Sequence, residues 1–172
     1  MKKEYKIEYN ELTKDIINNE YFGSSKYEHL IRVSKCSFVL GKIFKANIET
    51  VTKAGLLHDF FFGGRKEKIE NSYLNHPNTA LKNAQEYFNI DENIASAIKT
   101  HMFHHVVLKK IFPFINRKEK VNFKETKPTN KESWIVCISD LLVSIMECQR
   151  FEFSYIANLS YLIILNIIFI KH

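Results

Sequence analysis

Cysteine is scarce and odd in number: the chain holds only Cys36, Cys137 and Cys148, with no C-x-x-C pair. That set builds neither a disulfide framework nor a zinc ribbon, and it fits a reducing compartment. With 5 glycines and 3 prolines in 172 residues, turn-makers are too few for a many-stranded β architecture. The opening stretch MKKEYKIEYNELTKD contains no apolar segment of signal-peptide kind, so a cytoplasmic location is expected. Internal repeats, heptad arrays and low-complexity segments are absent from the sequence. The lysines are scattered, so a formal charge of +6 favours a small anionic partner over specific nucleic-acid binding.

Apolar mass is plentiful. At 45% hydrophobic and 13% aromatic, the chain can bury one sizeable core, and its length predicts a single domain over residues 1–172. The spacing of apolar residues is helical throughout, which predicts an all-α fold. A short amphipathic helix is expected from Glu11 to Glu20. Ser25-Lys26-Tyr27-Glu28 has the form of a capping box, predicting a long helix that carries Leu30, Val33, Phe38 and Ile43 toward the core, with His29 in its first turn. A second helix is expected after Asn47, ending on His58-Asp59. Residues 60–75 read as a loop around Gly63-Gly64, and Pro77 then suits the first turn of a helix to about Phe88, with His76 at its edge. Asp91 caps a further helix in which Ile94, Ile98, His101 and Met102 share a face.

The polar stretch from Arg117 to Lys131 reads as a surface loop. From Trp134 to Met146 the sequence WIVCISDLLVSIM is apolar on nearly every face, which predicts a central buried helix with Asp140 as its only charge. Phe153 to Ile170 approaches the length of a membrane span. Ser154, Asn158, Ser160 and Asn166 interrupt it, so it is read as a C-terminal helix buried in the domain or in a homodimer contact, in preference to a membrane anchor.

A buried carboxylate such as Asp140 demands a cation or strong donors, because an isolated charge is costly to desolvate. An adjacent imidazole and carboxylate at a helix end, His58-Asp59, can converge on an ion with ligands from other helices. Singly, such residues are commonly satisfied core groups. In the order YEHLIRVS, AGLLHDFF and IVCISDLL, over about residues 26–150, the sequence resembles the HD-domain superfamily of metal-dependent phosphohydrolases.

The resemblance implies a helical bundle with a metal site in its core, where His29, His58, Asp59 and Asp140 hold a divalent ion (Mn, Fe, Co, Ni or Mg). It also implies that His76 and His101 hold a second ion, with Asp59 as bridge and catalytic centre. His104 and His105 either extend that set or lie exposed. The expected reaction is hydrolysis of a phosphoester or phosphoanhydride in a small, nucleotide-like substrate by metal-bound hydroxide. Many relatives carry a lysine soon after the His-Asp pair, whereas this chain has Phe60-Phe61-Phe62, so Arg65 and Lys66 become the first candidates for holding phosphate, with the lysine-rich loop from Lys118 to Lys127 as the alternative. The order of histidines and aspartates is similar to that of symmetrical dinucleoside tetraphosphatases. A non-catalytic module that binds metal or nucleotide, membrane-associated through its last helix, is the alternative.

Overall fold

A computed structural model of the chain describes residues 8–10, 13, 24–60, 76–111 and 123–147. Every regular element among these residues is helical: besides the helical residues 8–10 and 13 these are α1 (Ser24–Phe44), α2 (Ile48–Leu57), α3 (His76–Tyr87), α4 (Glu92–Thr100), α5 (Phe103–Ile111), the short α6 (Phe123–Thr126) and α7 (131–147). The all-α expectation holds.

Local chemistry explains most of the boundaries. Lys45, at φ 52°, takes the left-handed position after α1, and the Ala46 amide donates back to the Gly41 carbonyl at 3.0 Å. This is the bond pattern that closes a helix and satisfies one of its free carbonyls. The Lys131 ammonium adds bonds to the carbonyls of Phe44 and Lys45 at 3.4 and 3.0 Å. Asn47 and Asp91 cap α2 and α4, accepting from the amides of Thr50 and Ile94 at 3.1 and 2.8 Å. Asn130 does the same for the amide of Ser133 at 2.8 Å. An exposed N-cap of this type stabilises its helix by about 1 kcal/mol.

The central helix of the described residues is α2. Thr50, Val51, Thr52, Ala54, Gly55, Leu56 and Leu57 are all buried. Small side chains let α1 approach it closely: a Cβ on Gly55 would meet Ser37 Oγ at 2.8 Å and Ser34 Cα at 3.0 Å. The Ser34 hydroxyl donates to the Thr52 carbonyl at 2.8 Å, tying the two helices at the same level. Leu56, Leu57 and Phe60 pack with Ala80, Ala84, Ile94, Ile98 and Val136 in one apolar cluster. Each such large side chain contributes about 1.5–3 kcal/mol when fully buried. Met102, Phe103, Val106 and Cys137 form a smaller cluster where α5 meets α7.

Several expectations need correction. Ser24 and Ser25 are both within helix α1, so Ser25 is not an N-cap. Ile43 is 63% exposed, unlike Leu30, Val33 and Phe38, because the inward stripe of α1 ends before its last turn. The stretch read as loop from Arg117 to Lys131 contains α6 and runs into the first residue of α7. Helix α7 is not buried all round. Ile135, Val136, Ser139, Asp140 and Val143 face inward, but Trp134, Ile138, Leu142, Ile145 and Met146 are exposed, so apolar composition on every face did not produce packing on every face. The expected helix from Glu11 to Glu20, apart from Thr13, lies outside the described residues, as do residues 61–75 and the run from Phe153 to Ile170. Among the described residues no helix is long and apolar enough to cross a membrane.

Candidate metal centre

Helix ends supply most of the site. His29 comes from the first turns of α1, and His58 and Asp59 stand where α2 terminates. His76 opens α3, His101 closes α4, His104 lies in the first turn of α5, and Asp140 projects from the middle of α7. A helix terminus leaves its last carbonyls without intrahelical partners. His58 and His101 use them: each Nδ1–H donates to the carbonyl three residues back, Gly55 at 2.8 Å and Ile98 at 2.7 Å. His104 repeats the pattern with the His101 carbonyl at 3.1 Å. A carbonyl only accepts, so each Nδ1 carries a proton and each Nε2 is turned to the interior. Orientation of a ring through its outer nitrogen is the usual support for a metal-ligating histidine.

The inward nitrogens meet two carboxylates. His29 Nε2 lies 3.3 Å from Asp140 Oδ1, and His58 Nε2 lies 3.7 Å from the same oxygen. His76 Nε2 and His101 Nε2 stand 2.9 and 3.6 Å from Asp59 Oδ1. His104 Nε2 is 4.0 Å from Asp140 Oδ2. Two groups have donor atoms all within 4.8 Å of one another, His29 with His58 and Asp140, and His58 with Asp59 and His101. His58 belongs to both.

Electrostatics set these groups to receive cations. Burial alone would raise the carboxyl pKa of Asp140, but the His29 hydrogen bond and the charges of His58, His101 and His104 hold it well below the usual carboxylate range. Asp59 is likewise held low against burial by His101 and His76. Burial pushes His58 down to about 4, so its ring is neutral at neutral pH. For His29 and His101 burial acts downward and is outweighed, by Asp140 and Glu147 in one case and by Asp59 in the other, so both end above their ordinary value.

Fit to a divalent ion is tested by what remains unpaired. His58 Nε2 and Asp59 Oδ1 are buried atoms without a hydrogen-bond partner, even though ring nitrogens crowd the Asp59 oxygen. Proximity without an aligned donor is what an oxygen awaiting a cation presents, and an unsatisfied buried carboxylate is otherwise expensive. The mixed imidazole and carboxylate donor set suits the transition ions and magnesium. The residues fit.

All six histidines and aspartates expected from the sequence therefore converge, whereas Arg65 and Lys66 lie outside the described residues. His104 and His105 are half-buried, because α4 stops at Thr100 and the chain turns before α5 begins. Sequence reasoning missed Glu147, whose Oε2 accepts from His29 Nδ1 at 3.0 Å. Its spacing of seven from Asp140 on one helix was the available signal.

This order of ligands has a counterpart among known families: the family model of the HD domain matches residues 27–144. The chain belongs to the HD-domain family. HD domains are typically metal-dependent hydrolases that bind divalent ions, and the clusters of this HD domain are of a kind that can hold them. No curated protein and no solved structure matches it in the corresponding comparisons.

Proposed function

We propose that this HD domain, a single domain over residues 1–172, is a cytoplasmic phosphohydrolase that cleaves a phosphoester or phosphoanhydride of a small nucleotide-like substrate. The observation that carries the reading is the pair of ligand groups joined through His58, with the two carboxylates held ionised and imidazole Nε2 atoms turned toward them. One or two divalent ions, when bound, supply Lewis acidity toward a phosphoryl oxygen and acidify water for in-line attack.

The protein's own groups have distinct tasks. His29, His58 and Asp140 would hold one ion, His76 and His101 a second, and Asp59 would serve as the carboxylate between the two positions. Asp59 and Asp140 bring two negative charges that balance the cations, while neutral His58 adds none. Water is the nucleophile in this reading. Cys137 is buried and its thiol is pushed up to about 11, chiefly by burial, so it offers no thiolate. Arg65 and Lys66 take the substrate phosphate in place of the lysine that many relatives carry after the His-Asp pair. The arrangement of histidines favours a substrate like that of the symmetrical dinucleoside tetraphosphatases. The missing lysine favours a second reading, a module that holds metal and nucleotide without turnover.

Metal analysis of protein purified without chelator, followed by phosphate release from mono-, di- and dinucleotides, tests the proposal. Asp59→Ala is expected to lose metal and to reduce hydrolysis to background. It also loses the stabilisation that metal gives the native state, about 2.7 kcal/mol at a hundred times Kd. An Asp59→Ala protein with full occupancy and wild-type turnover overturns the assignment, and a metal-loaded wild type that binds nucleotides without cleaving them selects the second reading.

A further inference from the structure

The metal centre is braced at its rim by a chain of charged groups that none of the ligand assignments uses. Glu147 ends the described part of α7, about two turns beyond Asp140 and on the same face. Its Oε2 accepts from His29 Nδ1 at 3.0 Å, and its Oε1 accepts from the Arg32 guanidinium at 2.8 Å. Arg32 in turn bonds Glu28 one turn back on α1, at 2.5 Å. His29 thus lies between two carboxylates of one helix, with Glu147 on Nδ1 and Asp140 on Nε2 at 3.3 Å.

His58, His101 and His104 each have a carbonyl three residues back as acceptor for the Nδ1 proton. His29 lies in the early part of α1 and turns its Nδ1 toward α7, so Glu147 supplies from another helix the support that the other rings take from their own backbone. We propose that Glu147 is a positioning residue of the metal centre, fixing the Nδ1–H tautomer and ring orientation of His29, and that Arg32 holds Glu147 in place for that task. This inference rests on the metal-binding reading above. Glu147 links α7 to His29 on α1 about two turns beyond Asp140, so the same contact helps to hold the two ligand-bearing helices together. An ionised carboxylate also makes the ring it accepts from a stronger donor through its other nitrogen.

The test uses the full chain as wild type, Glu147→Ala, Glu147→Gln and Arg32→Ala, with Mn2+ alone as probe in calorimetric titration. The ring tautomer of His29 is read by nitrogen-15 NMR in metal-free protein at alkaline pH, where the ring is neutral. Glu147→Ala is expected to weaken Mn2+ binding about 10- to 100-fold, the usual effect of losing a support of this kind, and to shift His29 from Nδ1–H toward a tautomer mixture. Glu147→Gln keeps an oxygen acceptor but not the charge, so its loss is smaller. Arg32→Ala falls between wild type and Glu147→Ala. Unchanged helical circular dichroism in the glutamine variant separates positioning from folding. If Glu147→Ala and Glu147→Gln both keep wild-type Mn2+ affinity and His29 stays in the Nδ1–H form, the proposal is overturned. A wild type that takes up no Mn2+ overturns the phosphohydrolase reading itself, and the His29 tautomer still decides whether Glu147 sets the ring.

Discussion

His76 and His101 face each other through their Nε2 atoms at 3.1 Å. The outer nitrogen of His101 already donates to the Ile98 carbonyl, so its inner nitrogen is turned to His76 and Asp59, whose Oδ1 stands within 3.6 Å of both rings. Two imidazoles and a carboxylate brought together from the ends of three helices form a half-site distinct from the His29 and Asp140 half. Replacing His101 by Ala is therefore expected to lower Mn2+ stoichiometry from two ions to one per chain, leaving His29, His58 and Asp140 to hold the remaining ion. Calorimetric titration reads the number directly. A variant that still binds two ions would remove His101 from the ligand set.

The metal-free protein should have a stability maximum near the ordinary histidine pKa of 6.5. His29 and His101 are held above that value, so their contribution is present below 6.5 and is lost as pH rises through their folded pKa. His58 is held down at about 4, so its protonation penalises the fold as pH falls from 6.5 toward 4. Asp59 and Asp140, held low, act in the same direction at still lower pH. With Mn2+ present the trend above 6.5 reverses, because ligation requires deprotonated rings and binding strengthens with pH. Melting temperatures with chelator and with Mn2+ from pH 5 to 8 check the sign. A chelator-treated protein whose melting temperature keeps rising from pH 6.5 to 8 contradicts this account.

Much of the centre was legible in the sequence because several of its members are polar residues that interrupt or end an apolar run. His58-Asp59 follows Leu56-Leu57, and Asp140 is the lone charge of an apolar segment, so each announces a buried polar group that needs a partner. The capped helices were legible for a related reason, since Asn47 and Asp91 are local signals. What escaped is tertiary. The stretch of α7 from Trp134 to Met146 is apolar on nearly every face and reads as central, yet α2 takes the centre, with Gly55 letting α1 approach it, a property of neighbours that periodicity does not contain. Glu147 escaped because its role exists only once α7 lies beside His29.

Gly55 joins packing to the site. A Cβ there would press on Ser37 Oγ at 2.8 Å and on the α1 backbone at Ser34, and the Gly55 carbonyl is the acceptor that fixes the His58 ring. Gly55→Ala should cost about 1–3 kcal/mol, the range for overpacking a filled interior. Part of that cost is expected as displacement of α2, so Mn2+ affinity falls along with melting temperature. Ser37→Ala relieves one side of the clash, and the double variant should recover part of the loss. Full tolerance of Gly55→Ala, with unchanged melting and binding, would show that the helices can separate freely at this level.

The outer face of α7 carries the last prediction. Trp134, Ile138, Leu142 and Met146 recur at four-residue spacing and are between 38% and 65% exposed. Such a row is larger than the scattered apolar residues that surfaces normally tolerate. The run from Phe153 to Ile170 follows only a few residues after α7, contains no charge, and is interrupted by Asn158 and Asn166 in a way that suits a protein partner better than lipid. An apolar face and an apolar segment in one chain are each expected to find cover, within the domain or across a homodimer. Deleting Tyr155 to His172 should then lower the melting temperature or cause aggregation, since each large side chain left open forfeits about 1.5–3 kcal/mol of burial. Sedimentation of the full chain and of the truncated protein separates the two kinds of cover: a dimer that becomes a monomer places the segment at an interface, and a monomer that loses stability places it on its own domain. A truncated protein that is better behaved, with unchanged melting temperature, would remove both and leave the segment as an anchor.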